Sequence, residues 1–139
     1  MANSTKTFVQ VDDAVGGTLR DISSYVHRFR WPRTADMLET TALSDTDKKF
    51  AAGLKDGDQV TIEGLWDNTA TTGFVAVFGS SAVGEIRSLV FGSNSNTSGQ
   101  EKISCETIIA SIERSHGRGE LVAFSITLQV TGAVTEGTF

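Results

Sequence analysis

The sequence predicts a mainly β protein, an antiparallel β-sandwich or barrel with one short flanking α-helix. Apolar and polar residues alternate with period two through several segments, Gln59 to Asp67 and Glu120 to Thr131 above all. Clusters of Gly, Asp, Ser and Asn separate these segments at short intervals. No strand-helix-strand rhythm of the kind that builds a parallel sheet is present. The 139 residues fit one domain, residues 1–139, and with 39% hydrophobic residues they can bury a core without staples. Cys105 is the single cysteine, which excludes an intramolecular disulfide.

Residues 1–6 are short and polar and read as a flexible N-terminal arm, without the apolar run of a secretion signal. Thr7 to Val11 is a strand, closed by Asp12, Asp13, Gly16 and Gly17, and Thr18 to Ile22 is its hairpin partner. Ser23 to Arg33 reads as irregular, with Tyr25, Phe29 and Trp31 interleaved by Arg28, Arg30 and Arg33. That mixture matches a stacking platform for nucleic acid, yet the acidic chain favours rings that pack and arginines that pair with carboxylates. Ala35 to Leu43 can form a strand, and Ser44 to Phe50 a turn in which Ser44 or Asp45 is placed as a helix N-cap.

Asp45, Asp47, Asp56 and Asp58 raise the question of calcium, but Lys49 and Phe50 stand where its loop needs Asp or Asn and then Gly, so they read as solvated turn carboxylates. No metal and no cofactor is expected. Gly53 to Asp58 then forms a turn that launches the strand Gln59 to Asp67. Its parity sends Val60, Ile62, Gly64 and Trp66 to the core and Thr61 and Glu63 to the opposite face. Thr69 to Gly79 suits a short helix with Phe74, Val77 and Phe78 on one side. Ala82 to Phe91 is strand-like, and 92–99 is a polar loop or crossover.

Lys102 to Ser115 is one long strand whose apolar parity changes, which a bend near Glu106 and Thr107 reconciles. His116 to Gly119 turns the chain. In the last alternating run Val122, Phe124, Ile126, Leu128 and Val130 form a core face, while Thr127 and Gln129 lie on a small, uncharged polar face.

Catalytic signatures are lacking. His27 and His116 are far apart, Cys105 sits inside a strand, and neither a hydrolase elbow nor a phosphate loop occurs. Twelve basic against seventeen acidic residues give a formal charge of −5, a sign that opposes gripping nucleic acid through counterion release. No apolar run approaches the roughly 20 residues of a membrane helix, so no membrane partner is expected.

The segment Thr40-Thr-Ala-Leu-Ser44, continuing through Gly53-Leu-Lys-Asp-Gly57 to Gly64-Leu-Trp-Asp67, resembles the central part of tail tube (major tail) proteins of long, flexible-tailed bacteriophages. The C-terminal run Phe124 to Thr138 is similar to their last strand and tail, and Asp12 to Ile22 resembles their first hairpin. The three stretches stand in the family's order and cover about half the chain.

This resemblance implies a structural virion protein, not an enzyme. It implies a sandwich subunit that forms hexameric rings, with a large barrel closed between subunits, and rings that stack into the tube through which DNA passes. Its partners would be copies of itself and other tail proteins (tape measure, terminator, distal tail), in a virion assembled in the host cytoplasm. DNA would pass without specific binding, because an acidic or neutral lining repels phosphate. Thr61, Glu63, Thr127 and Gln129 are the lumen or subunit-edge candidates. Asp45, Asp47, Lys55, Asp56 and Asp58 in 44–58, together with 92–99, are candidates for contacts between subunits or rings. A tail terminator, a tube-like ring protein of a contractile system and a monomeric binding module are the alternatives.

Overall fold

The computed structural model describes residues 6–56, 58–67, 70, 72–79 and 83–139, with the side chains of Lys55, Asp56 and Val75 outside that description. The expected N-terminal arm, apart from Lys6, and the expected helix start at Thr69 therefore lie outside the described residues. Among the described residues nine strands and one helix follow in the order β1 (Phe8–Asp12), β2 (Leu19–Asp21), β3 (Val26–Arg30), β4 (Thr34–Glu39), β5 (Phe50–Asp56), β6 (Gln59–Leu65), α1 (Phe74–Phe78), β7 (Ile86–Gly92), β8 (Glu101–Ser115) and β9 (Ala123–Thr138). Seven strands form one antiparallel sheet, ordered β2-β1-β7-β8-β9-β6-β3, and β4 and β5 form a separate two-stranded ribbon.

The large sheet rolls over its own apolar face. Phe29 of the end strand β3 stacks on Phe91 of β7, with centroids 4.3 Å apart and planes 11° from parallel. No hydrogen-bonded pairing closes that seam among the described residues, so the monomer is an open, sandwich-like roll. Inside it Val9, Val11, Ile22, Val60, Ile62, Leu89, Ile109, Phe124, Ile126 and Leu128 form one core. Each fully buried side chain of this size contributes about 1.5–3 kcal/mol.

Helix α1 adds Phe74, Val77 and Phe78, all fully buried, and Phe74 stacks on Phe124 at 4.5 Å. Gly64 faces the core where a Cβ would meet the Tyr25 carbonyl and the Phe124 ring, so only glycine lets β6 approach that layer.

Three expectations need correction. The stretch Ser23 to Arg33 contains strand β3, and its register against β6 shifts between Val26 and Arg28. That bulge breaks the period-two pattern and makes the segment look irregular in sequence. Likewise 44–58 is not a loop throughout: Phe50–Asp56 is a strand paired with β4. Strand β8 has two register shifts, at Ser104/Glu106 and Ile109/Ser111; ordinary alternation turns Cys105, Thr107 and Ile109 inward, and the inward phase changes after Ile109 to Ile112, not near Glu106 and Thr107 as expected. On β9 the matching irregularity lies at Gly132, whose φ of 77° suits a residue without a Cβ.

Candidate assembly surface

Strands β3, β6, β9 and the C-terminal half of β8 present a continuous outward face, fixed by their register. One row runs Arg30, Thr61, Thr127, Ser111, and the next runs Arg28, Glu63, Ser125, Glu113. Gln59 and Gln129 pair in a third row. The alternation that buries Val60, Ile62, Phe124, Ile126 and Leu128 sets these polar side chains on the other side of the same strands. Thr61, Glu63, Thr127 and Gln129 thus share one surface, made mainly of hydroxyl and amide groups. Arg28 and Glu63 approach to 3.7 Å across it, a partly exposed pair that contributes little to stability.

This face ends in two unpaired backbone edges. Among the described residues β3 pairs with β6 alone, and the β7 side of β8 is bonded only as far as Ile109, through Glu85. From Ala110 to Ser115 the outer edge of β8 lacks a described partner. On the polar face Arg28 and Arg30 stand at the first edge and Glu113 at the second, so there the edges carry opposite charges, while Arg114 lies on the other side of β8 over the Phe74 ring.

The second feature is the β4-β5 ribbon, an arm whose described residues are nowhere buried. Pairing sets Met37, Phe50 and Ala52 on one side and Leu38 and Ala51 on the other, and the register shift between Ala52 and Lys55 brings Leu54 to the side of Leu38. Met37 is 64% and Leu54 82% exposed. An isolated two-stranded ribbon is marginal in water, and this one is apolar on both faces.

Its tip is well ordered internally. Thr40 N–H donates to the Lys49 carbonyl at 2.8 Å, and Asp45 accepts from the Ala42 N–H at 2.7 Å and pairs with Lys49 at 3.0 Å. The Ala42 N–H first, and then Lys49, hold the Asp45 carboxyl below the usual carboxylate range. Asp45 is thus engaged in its own turn, Asp47 is exposed, and Lys55, Asp56 and Asp58 lie at the base of the arm. The segment 92–99 folds back on the body, with Ser95 N–H on the Lys6 carbonyl and Asn94 on Gln100 at 3.0 Å.

Trp66 is the correction among the expected core residues. It is 41% exposed, because β6 ends at Leu65 and the parity of the strand does not extend beyond it. The Trp66 backbone N–H donates to the Val122 carbonyl at 2.9 Å, and its neighbour Leu65 is likewise exposed. The rings of the 23–33 stretch pack inward: Tyr25 is buried, and Phe29 and Trp31 lie against the core. The apolar residues of the arm were missed, although Phe50, Ala52 and Leu54 alternate visibly in sequence. Cys105 is buried, and burial, aided by Glu106 and opposed by Arg33, pushes its thiol up to about 11, which makes it a poor nucleophile.

Neither a protein-family model nor a curated protein sequence matches the chain. Solved structures do. The fold is that of tail tube subunits from phage-like particles and contractile injection systems. The tail of an empty gene transfer agent particle, refined with C6 symmetry, superposes with a TM-score of 0.79 at 13% identity, covering 99% of this chain and 100% of that one. The SPP1 tail tube gives 0.75 at 13% identity over 100% and 80% of the two chains. The sheath-tube complex of an extracellular contractile injection system gives 0.69 at 11% identity over 100% and 93%.

Proposed function

We propose that this chain is a tail tube subunit. Copies join side by side into six-membered rings, the rings stack into a hollow tail tube of a virion, and DNA crosses the lumen without being bound. The observation that carries this reading is the pair of strand edges at the two ends of one polar face, which have no partner strand among the described residues and carry opposite charges on that face. Edge β3 of one copy meets the 110–115 edge of β8 of the next, which satisfies both backbones and removes both edges. Around a ring the polar faces then form a single barrel wall, with Thr61, Glu63, Ser125, Thr127 and Gln129 toward the lumen. Hydroxyl and amide groups make up most of that wall, and its two cations, Arg28 and Arg30, are balanced by Glu63 and Glu113, so it offers phosphate no continuous cationic track.

The arm supplies the contact along the tube axis, because burying both apolar faces of the ribbon requires surfaces from other copies on each side. The whole-chain likeness to subunits of tubes, one of them in a sixfold-symmetric tail, supports the same arrangement. Tape measure, terminator and distal tail proteins are the further partners of such a tube.

Electron microscopy of the purified chain at high concentration is the test. Hollow tubes with sixfold symmetry are the expected result. Discrete rings would make the protein a terminator instead, and monomers at every concentration would overturn the reading. Glu113→Arg, which places like charges on both edges, is expected to slow tube growth by about tenfold or more at low salt.

A further inference from the structure

The body of the protein holds the base of the arm at two points of one strand. Arg33, at the entry to β4, bonds Glu136 of β9 through Nη1 and Oε1 at 2.7 Å, a contact between residues 103 apart in sequence. Across the base, the Thr34 hydroxyl donates to the Asp58 carboxylate at 2.8 Å. Asp58 adopts a left-handed φ of 55°, uncommon for a residue with a side chain. Its carbonyl is gripped from β9 by the Val130 N–H at 3.1 Å and by Gln129 Nε2 at 3.3 Å. The entering and the leaving strand of the arm are thus both tied to β9, on either side of the Gly132 irregularity. Beyond the base, no described side chain of the arm is buried.

We infer that Arg33, Glu136, Thr34 and Asp58 form a clasp that sets the direction of the β4-β5 arm, which makes them positioning residues for assembly. The inference rests on the proposal that the arm contacts other copies. A ribbon with no packed side chain is free to swing about its base, and few of its orientations present its apolar faces to a neighbour. Fixing the angle before contact removes that entropy cost from each arm. The effect is repeated in every copy of a ring, so a small change at one clasp becomes a large change in ring stacking. An exposed ion pair adds little to the stability of the monomer, so the cost of breaking it falls on assembly and not on folding.

Charge exchange tests this directly. Arg33→Glu and Glu136→Arg singly are expected to leave the thermal unfolding midpoint of the monomer within a few degrees and to slow tube growth by about tenfold or more. The double exchange, which restores an ion pair, is expected to recover most of the rate. Singles that assemble like the parent, or a double exchange without recovery, would overturn the clasp. Arm direction is read independently of assembly, in monomer at low concentration, from the distance between spin labels at Thr46→Cys and Ser115→Cys. Buried Cys105 is replaced by Ser for this measurement. A narrow distance distribution that broadens in Glu136→Arg supports the clasp, and an unchanged distribution overturns it. Failure of the parent chain to form tubes would refute the tube reading and still leave this second measurement decisive.

Discussion

Tyr25 is buried, and its hydroxyl is the one buried side-chain polar atom recorded without a hydrogen-bond partner among the described residues. Leaving a hydroxyl unsatisfied costs about 1–3 kcal/mol. Its ring is useful, since it meets Phe124 edge-on at 5.8 Å. Tyr25→Phe keeps the ring and removes the orphan, so it is expected to stabilise the protein by about 1 kcal/mol at neutral pH in chemical denaturation. Burial first, and then Asp67 and Asp21, raise the ionisation of this phenol well above its ordinary value of 10.0. A raised value means that the folded state holds the proton more tightly than the unfolded chain. The stabilisation is complete below pH 10 and is lost as pH rises above it. Unfolding curves between pH 9 and about 12 should show a steeper loss in the parent than in Tyr25→Phe.

At the scale of the element, α1 depends on one buried cation. Arg87 of β7, 4% exposed, donates to the carbonyl of Val77 at 2.7 Å and to that of Asp12 at 2.6 Å, and it pairs with Glu85 at 2.6 Å. It therefore caps the helix C-terminal region and joins it to β1. A five-residue helix has no stability of its own, so its place comes from this cap and from Phe74, Val77 and Phe78. Arg87→Met retains the volume but abandons two carbonyls and a carboxylate. A loss of about 3–5 kcal/mol in unfolding free energy is expected, with faster hydrogen exchange in 74–78.

Sequence periodicity located β6 and β9 because each has one wet and one dry face, and the turn residues at Asp12 to Gly17 marked the hairpin of β1 and β2. It failed for β3, where a bulge interrupts the alternation, and for β5, where both faces are wet.

At the scale of the whole molecule, the chain is well packed around one core, while among the described residues its arm is unburied and two of its strand edges have no partner strand. The apolar side chains of the arm contribute nothing to the monomer's core, so Leu38→Ser with Leu54→Ser is expected to leave the unfolding temperature nearly unchanged. The same pair should abolish tubes in electron micrographs and lower the sedimentation of concentrated samples. Glu63, Thr61, Thr127 and Gln129 were readable as a shared polar face because strand parity is local. The edge charges were not readable, because which strand ends the sheet is decided only by pairing between distant segments.

By itself the sequence determined the β class, the core of β6 and β9, the hairpin turns and the acidic charge balance. These follow from the two-residue period, turn chemistry and net charge, each set by neighbours along the chain. Tertiary structure alone decided the strand order, the open seam, the exposure of Trp66, the two-faced arm and the clasp from Arg33 to Glu136. Each of these depends on contacts between residues far apart in the chain, which no local pattern encodes.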